Sequence, residues 1–127
     1  MAEFEQIYSE KKRIALIRKE KKRLQEVLSE IPSDHLKIAE KLIDDAAFMA
    51  ATLDETKKII NRDGIVETYQ NGENQKGVKK SSAVEVYDKM VNTYTKVVKQ
   101  LCDMLPEGTN EGDPTEELLK FTLGGKR

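Results

Sequence analysis

"RDGIVETYQNGENQKGVKKSSA", residues 62–83, decides the fold, because here the apolar period changes from helical to extended and back again. Gly64 can end a helix, since glycine accepts the positive φ that closes a last turn. Ile65, Val66, Thr68 and Tyr69 favour strand, "NGENQKG" supplies turn residues, and Val78 begins a short returning strand. The stretch predicts a small β-hairpin over residues 65–80, with Asn71, Gly72 and Gly77 giving its loop backbone freedom. The edges of such a hairpin stay open unless a neighbour pairs with them or covers them.

Working outward, both flanks read as helix. Upstream, residues 34–61 carry Leu42, Ala46, Met49, Leu53, Thr56 and Ile60 at alternating spacings of four and three, which draws one seam along a helix. The small residues of "DDAAFMAAT" let another backbone come close, so this is the expected central packing helix. Downstream, residues 82–105 place Val84, Tyr87, Val91, Tyr94, Val98, Leu101 and Leu105 at three-four spacing, widened by Ala83, Met90, Val97 and Met104. So broad an apolar face predicts contact with more than one helix, within a subunit or across a subunit boundary. Tyr87 and Tyr94 lie on that seam and Tyr69 in the hairpin, so core packing is a more economical assignment for the three than base stacking. A further helix is predicted over residues 3–30, which contain neither Gly nor Pro. "EIPSDH" stops it, and Ser33 or Asp34 can then cap the next one.

The fold class is therefore mainly α. Long helices pack antiparallel, with one small hairpin between the second and third, in a single helical domain over residues 1–106. Residues 107–127 lose periodicity and form an acidic tail in which "PTEELLKF" has the makings of a short helix. Of the 127 residues 35% are charged, against about 25% in an ordinary domain. The net charge of −1 hides an uneven distribution: from Asp103 to Arg127 acids outnumber bases six to three, whereas "KKRIALIRKEKKR", residues 11–23, holds eight bases and one acid. The first fifteen residues hold no apolar run resembling a signal peptide, and no segment approaches the ~20 apolar residues that span a bilayer. The expectation is a soluble protein of the cytoplasm with no membrane partner. Cys102, the one cysteine, excludes an internal disulfide and sits on a helical stripe as a small hydrophobe.

Enzyme chemistry is tested by subtraction. No phosphate-binding GxxxxGK[ST] loop is present, and "EGTNEGD" has glycines without the lysine or a preceding strand. His35 is the only histidine, so no His-based zinc set or His-activated nucleophile forms within one chain. Asp44 with Asp45 and Glu116 with Glu117 are adjacent pairs whose side chains point about 100° apart on a helix, which suits solvated surface better than a metal site. No catalytic residue, metal or cofactor is expected.

The basic stretch carries more. Wound at about 100° per residue, Lys11, Lys12, Arg18, Lys19, Lys22 and Arg23 share one arc, while Ile7, Ile14, Ile17, Leu24 and Leu28 fall opposite. Such a helix can dock by its apolar face and present a row of phosphate-seeking groups. The plainer reading is a solvated helix face on which Glu20, Glu26 and Glu30 pair locally with lysines. Phe4 and Tyr8 fall near the basic side, which argues against a membrane-surface helix.

The order of parts, and in particular "AAFMAATL", "YQNGENQKGVKKS" and "VYDKMVNTYTKVVKQL", resembles the small subunit of tailed-phage terminases, over roughly residues 33–106. Ser81 and Ser82 stand where many related sequences carry a proline. The resemblance implies an oligomeric, ring-forming, non-enzymatic adaptor in the bacterial host cytoplasm. It would bind double-stranded viral DNA and regulate a separate large subunit carrying ATPase and nuclease. On this reading Lys11, Lys12, Arg18, Lys19, Lys22 and Arg23 contact phosphate. Val91, Tyr94, Val98 and Leu101 join subunits, and Leu118, Leu119 and Phe121 meet the large subunit. The alternative is a helical protein-interaction scaffold with no nucleic-acid role, and a poorer one a small transcriptional regulator.

Overall fold

The computed structural model describes residues 7–73 and 75–106. The described chain runs α1 (Glu10–Val27), a 3₁₀ turn (Ser33–His35), α2 (Leu36–Asp63), β1 (Val66–Gln70), β2 (Lys76–Lys80) and α3 (Ser82–Asp103). It is mainly helical, with a two-stranded antiparallel sheet between the second and third helices.

Helix α1 begins later than residue 3 and ends before residue 30. Ser9 is extended and its hydroxyl accepts from Lys12 N, capping the helix, while residues 7 and 8 bend away; residues 3–6 lie outside the described residues. At the other end Leu28 N bonds back to Leu24 and the chain turns through residues 28–30 into buried Ile31. The expected cap at Ser33 or Asp34 is replaced by the 3₁₀ turn: His35 N donates to the Pro32 carbonyl, and no side chain caps α2. Helix α2 runs on to Asp63, two residues past the predicted 61. It stops at Gly64, whose φ of +89° L-residues avoid and whose N–H donates to Ile60 O.

Helix α2 is the centre of the molecule, and both α1 and α3 pack against it. Its alanines 39, 46, 47, 50 and 51 are all buried, so the neighbouring backbones approach closely. Ile43, Met49 and Leu53 of α2 join Leu24 and Leu28 from one side and Tyr94, Val98 and Leu101 from the other in one core. Arg13 pairs with Glu55 and Lys21 with Asp44, so α1 and α2 run antiparallel.

The hairpin pairs Val66 with Lys80, Thr68 with Val78 and Gln70 with Lys76, and its turn closes where Asn71 N donates to Gln75 O, with Gly72 at φ +85°. Gly77 is not part of the loop as expected. It lies in β2 opposite Tyr69, whose ring occupies the space a Cβ would need. Tyr69 is thus an exposed cross-strand cover and not a core residue. Ser81 caps α3 through its hydroxyl, and the helix ends at Asp103, two residues short of the predicted 105.

Candidate nucleic-acid interface

The six basic residues of the predicted arc all lie on α1, whose attachment to α2 decides which of its charges face outward. Arg13 Nε donates to Glu55 Oε1 at 2.7 Å and its Nη2 to Oε2 at 3.0 Å. The same carboxylate accepts from Tyr8 N at 3.3 Å, and the Tyr8 hydroxyl donates to Asp54 Oδ2 at 2.6 Å. The Arg13 bond holds the Glu55 carboxyl below its ordinary range, against the upward push of its own desolvation. Desolvation, then the bond to Asp54, drives the Tyr8 phenol well above its usual value. Lys21 Nζ lies 2.8 Å from Asp44 Oδ1. Two of the eight bases in residues 11–23 therefore fasten α1 to α2.

Lys11, Lys12, Arg18, Lys19 and Lys22 are exposed. Among the described residues none of these five makes an ion pair, and the Lys12 ammonium rests 4.7 Å from the centre of the Tyr8 ring. Tyr8, expected beside the basic side, is buried beneath that ammonium. Arg23 differs from the other five: it is half-buried, and its Nε and Nη2 donate to Glu20 Oε1 at 3.4 and 3.3 Å.

Two expectations about this helix fail. Ile14, assigned to the docking face, is 44% exposed, because at about 300° from Lys11 it sits at the boundary between the faces. Glu20, expected to pair with lysines on the surface, is 1% exposed and points into the α1–α2 contact, where its Oε2 has no hydrogen-bond partner among the described residues. Desolvation raises its carboxyl above the ordinary value, offset in part by Arg23 and Lys19. The signal was present in the sequence: Glu20 lies about 180° from Lys11, between Val27 at about 160° and Leu24 at about 220°.

The residues of the predicted subunit seam lie mostly inside the single chain. Tyr94, Val98 and Leu101 are completely buried within the single chain, where α3 packs against α2 and joins the common core; Val91 is half-buried beside them. What α3 leaves uncovered is the adjoining flank, where Val86 is exposed and Met90, Val97 and Met104 are half-buried. Leu118, Leu119, Phe121, Glu116 and Glu117 lie outside the described residues, as does Phe4. Cys102 is half-buried against the core. Among the described residues no three His, Cys, Asp or Glu side chains gather as a metal cage requires, and no helix is long and apolar enough to cross a membrane.

The class these observations define is a small antiparallel helical assembly with a protruding β-ribbon and one basic helix face. No protein-family model, no curated protein and no solved structure matches the chain.

Proposed function

We propose that this protein is an oligomeric, non-enzymatic adaptor that holds double-stranded DNA by the outer face of α1, in the manner of the phage terminase small subunits its sequence resembles. One observation carries the reading. The bases needed to anchor α1 are matched by acids of α2, while Lys11, Lys12, Arg18, Lys19 and Lys22 remain outside on one face without acidic partners among the described residues. A helix that needed charge only for solubility would intersperse both signs. Phosphates neutralised along such a face release counterions, and repetition of the face around an oligomer multiplies weak contacts by avidity.

The partners on this reading are duplex viral DNA, further copies of the chain, and a large subunit carrying ATPase and nuclease, the last met by the tail residues Leu118, Leu119 and Phe121. The subunit contact moves from the buried Tyr94 seam to the Val86–Met90–Val97–Met104 flank of α3.

Binding to labelled duplex DNA across a salt series tests it, with a variant carrying Gln at positions 11, 12, 18, 19 and 22. The wild type binds with steep salt dependence, and the variant's slope is shallower by about 0.9 for each phosphate it no longer neutralises. Equal, weak binding by both proteins would favour the helical scaffold, whose face is merely solvated.

A further inference from the structure

We propose that Glu20 is a positioning residue for the DNA-binding face, acting through Arg23, so that binding of duplex DNA is coupled to uptake of a proton at the Glu20 carboxyl. This rests on the DNA reading above and adds its regulation by pH.

The geometry makes Arg23 a shared group. It lies at the edge of the basic arc, about 120° from Lys11, half-buried, with one side toward solvent and its Nε and Nη2 toward Glu20 Oε1. Glu20 is the inward partner. Its side chain is 2% exposed, Oε1 is held by two long bonds of 3.3 and 3.4 Å, and Oε2 has none among the described residues. A carboxylate so placed has lost its water without gaining a full set of donors, and its ionised form depends on the nearest cation. Among the described residues three charged groups act on it. Arg23 and Lys19 come from its own helix and favour ionisation, while Asp54 of α2, holding the Tyr8 hydroxyl, opposes it.

A phosphate arriving at the arc competes for the Arg23 guanidinium, because a phosphate oxygen in the solvent layer accepts the same N–H fork. Glu20 then keeps its charge in a dry contact with its main counter-charge drawn outward, and protonation is the cheaper state. The balance is one proton taken from solvent to the carboxylate for each Arg23 that engages phosphate. By linkage, a protein that takes up a proton on binding binds more tightly as pH falls. The coupling operates above the raised value of Glu20 in the free protein, where its carboxyl ionises before DNA binds, and it saturates at lower pH, where Glu20 is protonated in both states.

The test is duplex binding by the full chain at pH 5.5, 6.5 and 7.5 at fixed ionic strength, using wild type, Glu20→Gln and Arg23→Gln. Calorimetry of the wild type in two buffers of different ionisation enthalpy counts protons directly and needs no variant. The expected result is a wild-type Kd that rises about fivefold across the range, within the tenfold per pH unit that one proton allows. Glu20→Gln keeps the tighter binding at every pH, and Arg23→Gln binds more weakly with no pH dependence. Wild type and Glu20→Gln binding DNA with parallel pH profiles, or no proton uptake by calorimetry, overturns the role of Glu20 and leaves the DNA reading standing. Absence of duplex binding by all three proteins at every pH overturns both.

Discussion

Glu55 and Glu20 sit on the same contact between α1 and α2 and respond to pH in opposite directions. Arg13, and after it Tyr8 N, favours the ionised form of Glu55, so its folded value is lowered. Its contribution to stability is full above the ordinary value of 4.5 and is lost as pH falls through the lowered folded value. Burial of Glu20 raises its folded value, so the native state holds that proton after the unfolded state has released it, and stability declines as pH rises through the raised value. Urea denaturation from pH 3 to pH 8 separates the two. Glu55→Gln costs about 1.5–3 kcal/mol at pH 7, the range for hydrogen bonds to charged groups, and this loss shrinks toward pH 3. Glu20→Gln removes the decline in stability above pH 4.5. A Glu20→Gln curve parallel to the wild type would show that this carboxyl keeps its ordinary proton affinity when buried.

At the level of the elements, the helix ends give the sharpest test, because four plausible capping residues divide cleanly. Ser9 and Ser81 accept from backbone N–H groups of the first turn, whereas Ser33 and Asp34 cap nothing. Ser9→Ala and Ser81→Ala each lose about 1 kcal/mol, and Ser33→Ala and Asp34→Ala stay within about 0.5 kcal/mol of wild type, as read from shifts in the urea midpoint. Gly64, at φ +89° and ψ −178°, occupies a region nearly reserved for glycine, and Gly64→Ala costs about 1–3 kcal/mol through backbone strain alone; nothing lies within 4 Å of the added methyl. The period change at Gly64, the hairpin and the α3 seam were legible because apolar spacing and turn chemistry agree there. The cap of α2 was not: Ser33 and Asp34 carry the right side chains, but the 3₁₀ entry follows from Ile31 being drawn into the core, which leaves the Pro32 carbonyl to accept from His35 N. The anchoring role of Arg13 and Lys21 was equally hidden, since their partners Glu55 and Asp44 lie 42 and 23 positions away, by subtraction of the residue numbers.

For the whole molecule, sequence spacing drew the apolar face of α3 correctly but could not say who covers which part of it. The middle of the face, Tyr94, Val98 and Leu101, is consumed by the chain's own core, so Tyr94→Ala leaves a cavity and costs about 3–5 kcal/mol of folding stability. Val86, Met90, Val97 and Met104 fall within about 40° of one another around the helix and are left partly open along its length. On the proposed function this flank joins subunits, and the two sites therefore respond differently to mutation. Met90→Glu with Val97→Glu lowers the mass measured by light scattering while the helical circular dichroism holds near wild type; the urea midpoint falls, because both side chains also touch the core and the lost subunit contact no longer stabilises the native state. Because the basic arc on α1 is untouched, each freed subunit keeps its own weak hold on phosphate, and the fall in duplex affinity reflects avidity alone, on the order of 10²-fold or more. Wild-type protein that is already monomeric at micromolar concentration, or a double variant that keeps its mass, removes α3 as the subunit contact and with it the multiplication of weak contacts on which the DNA reading depends.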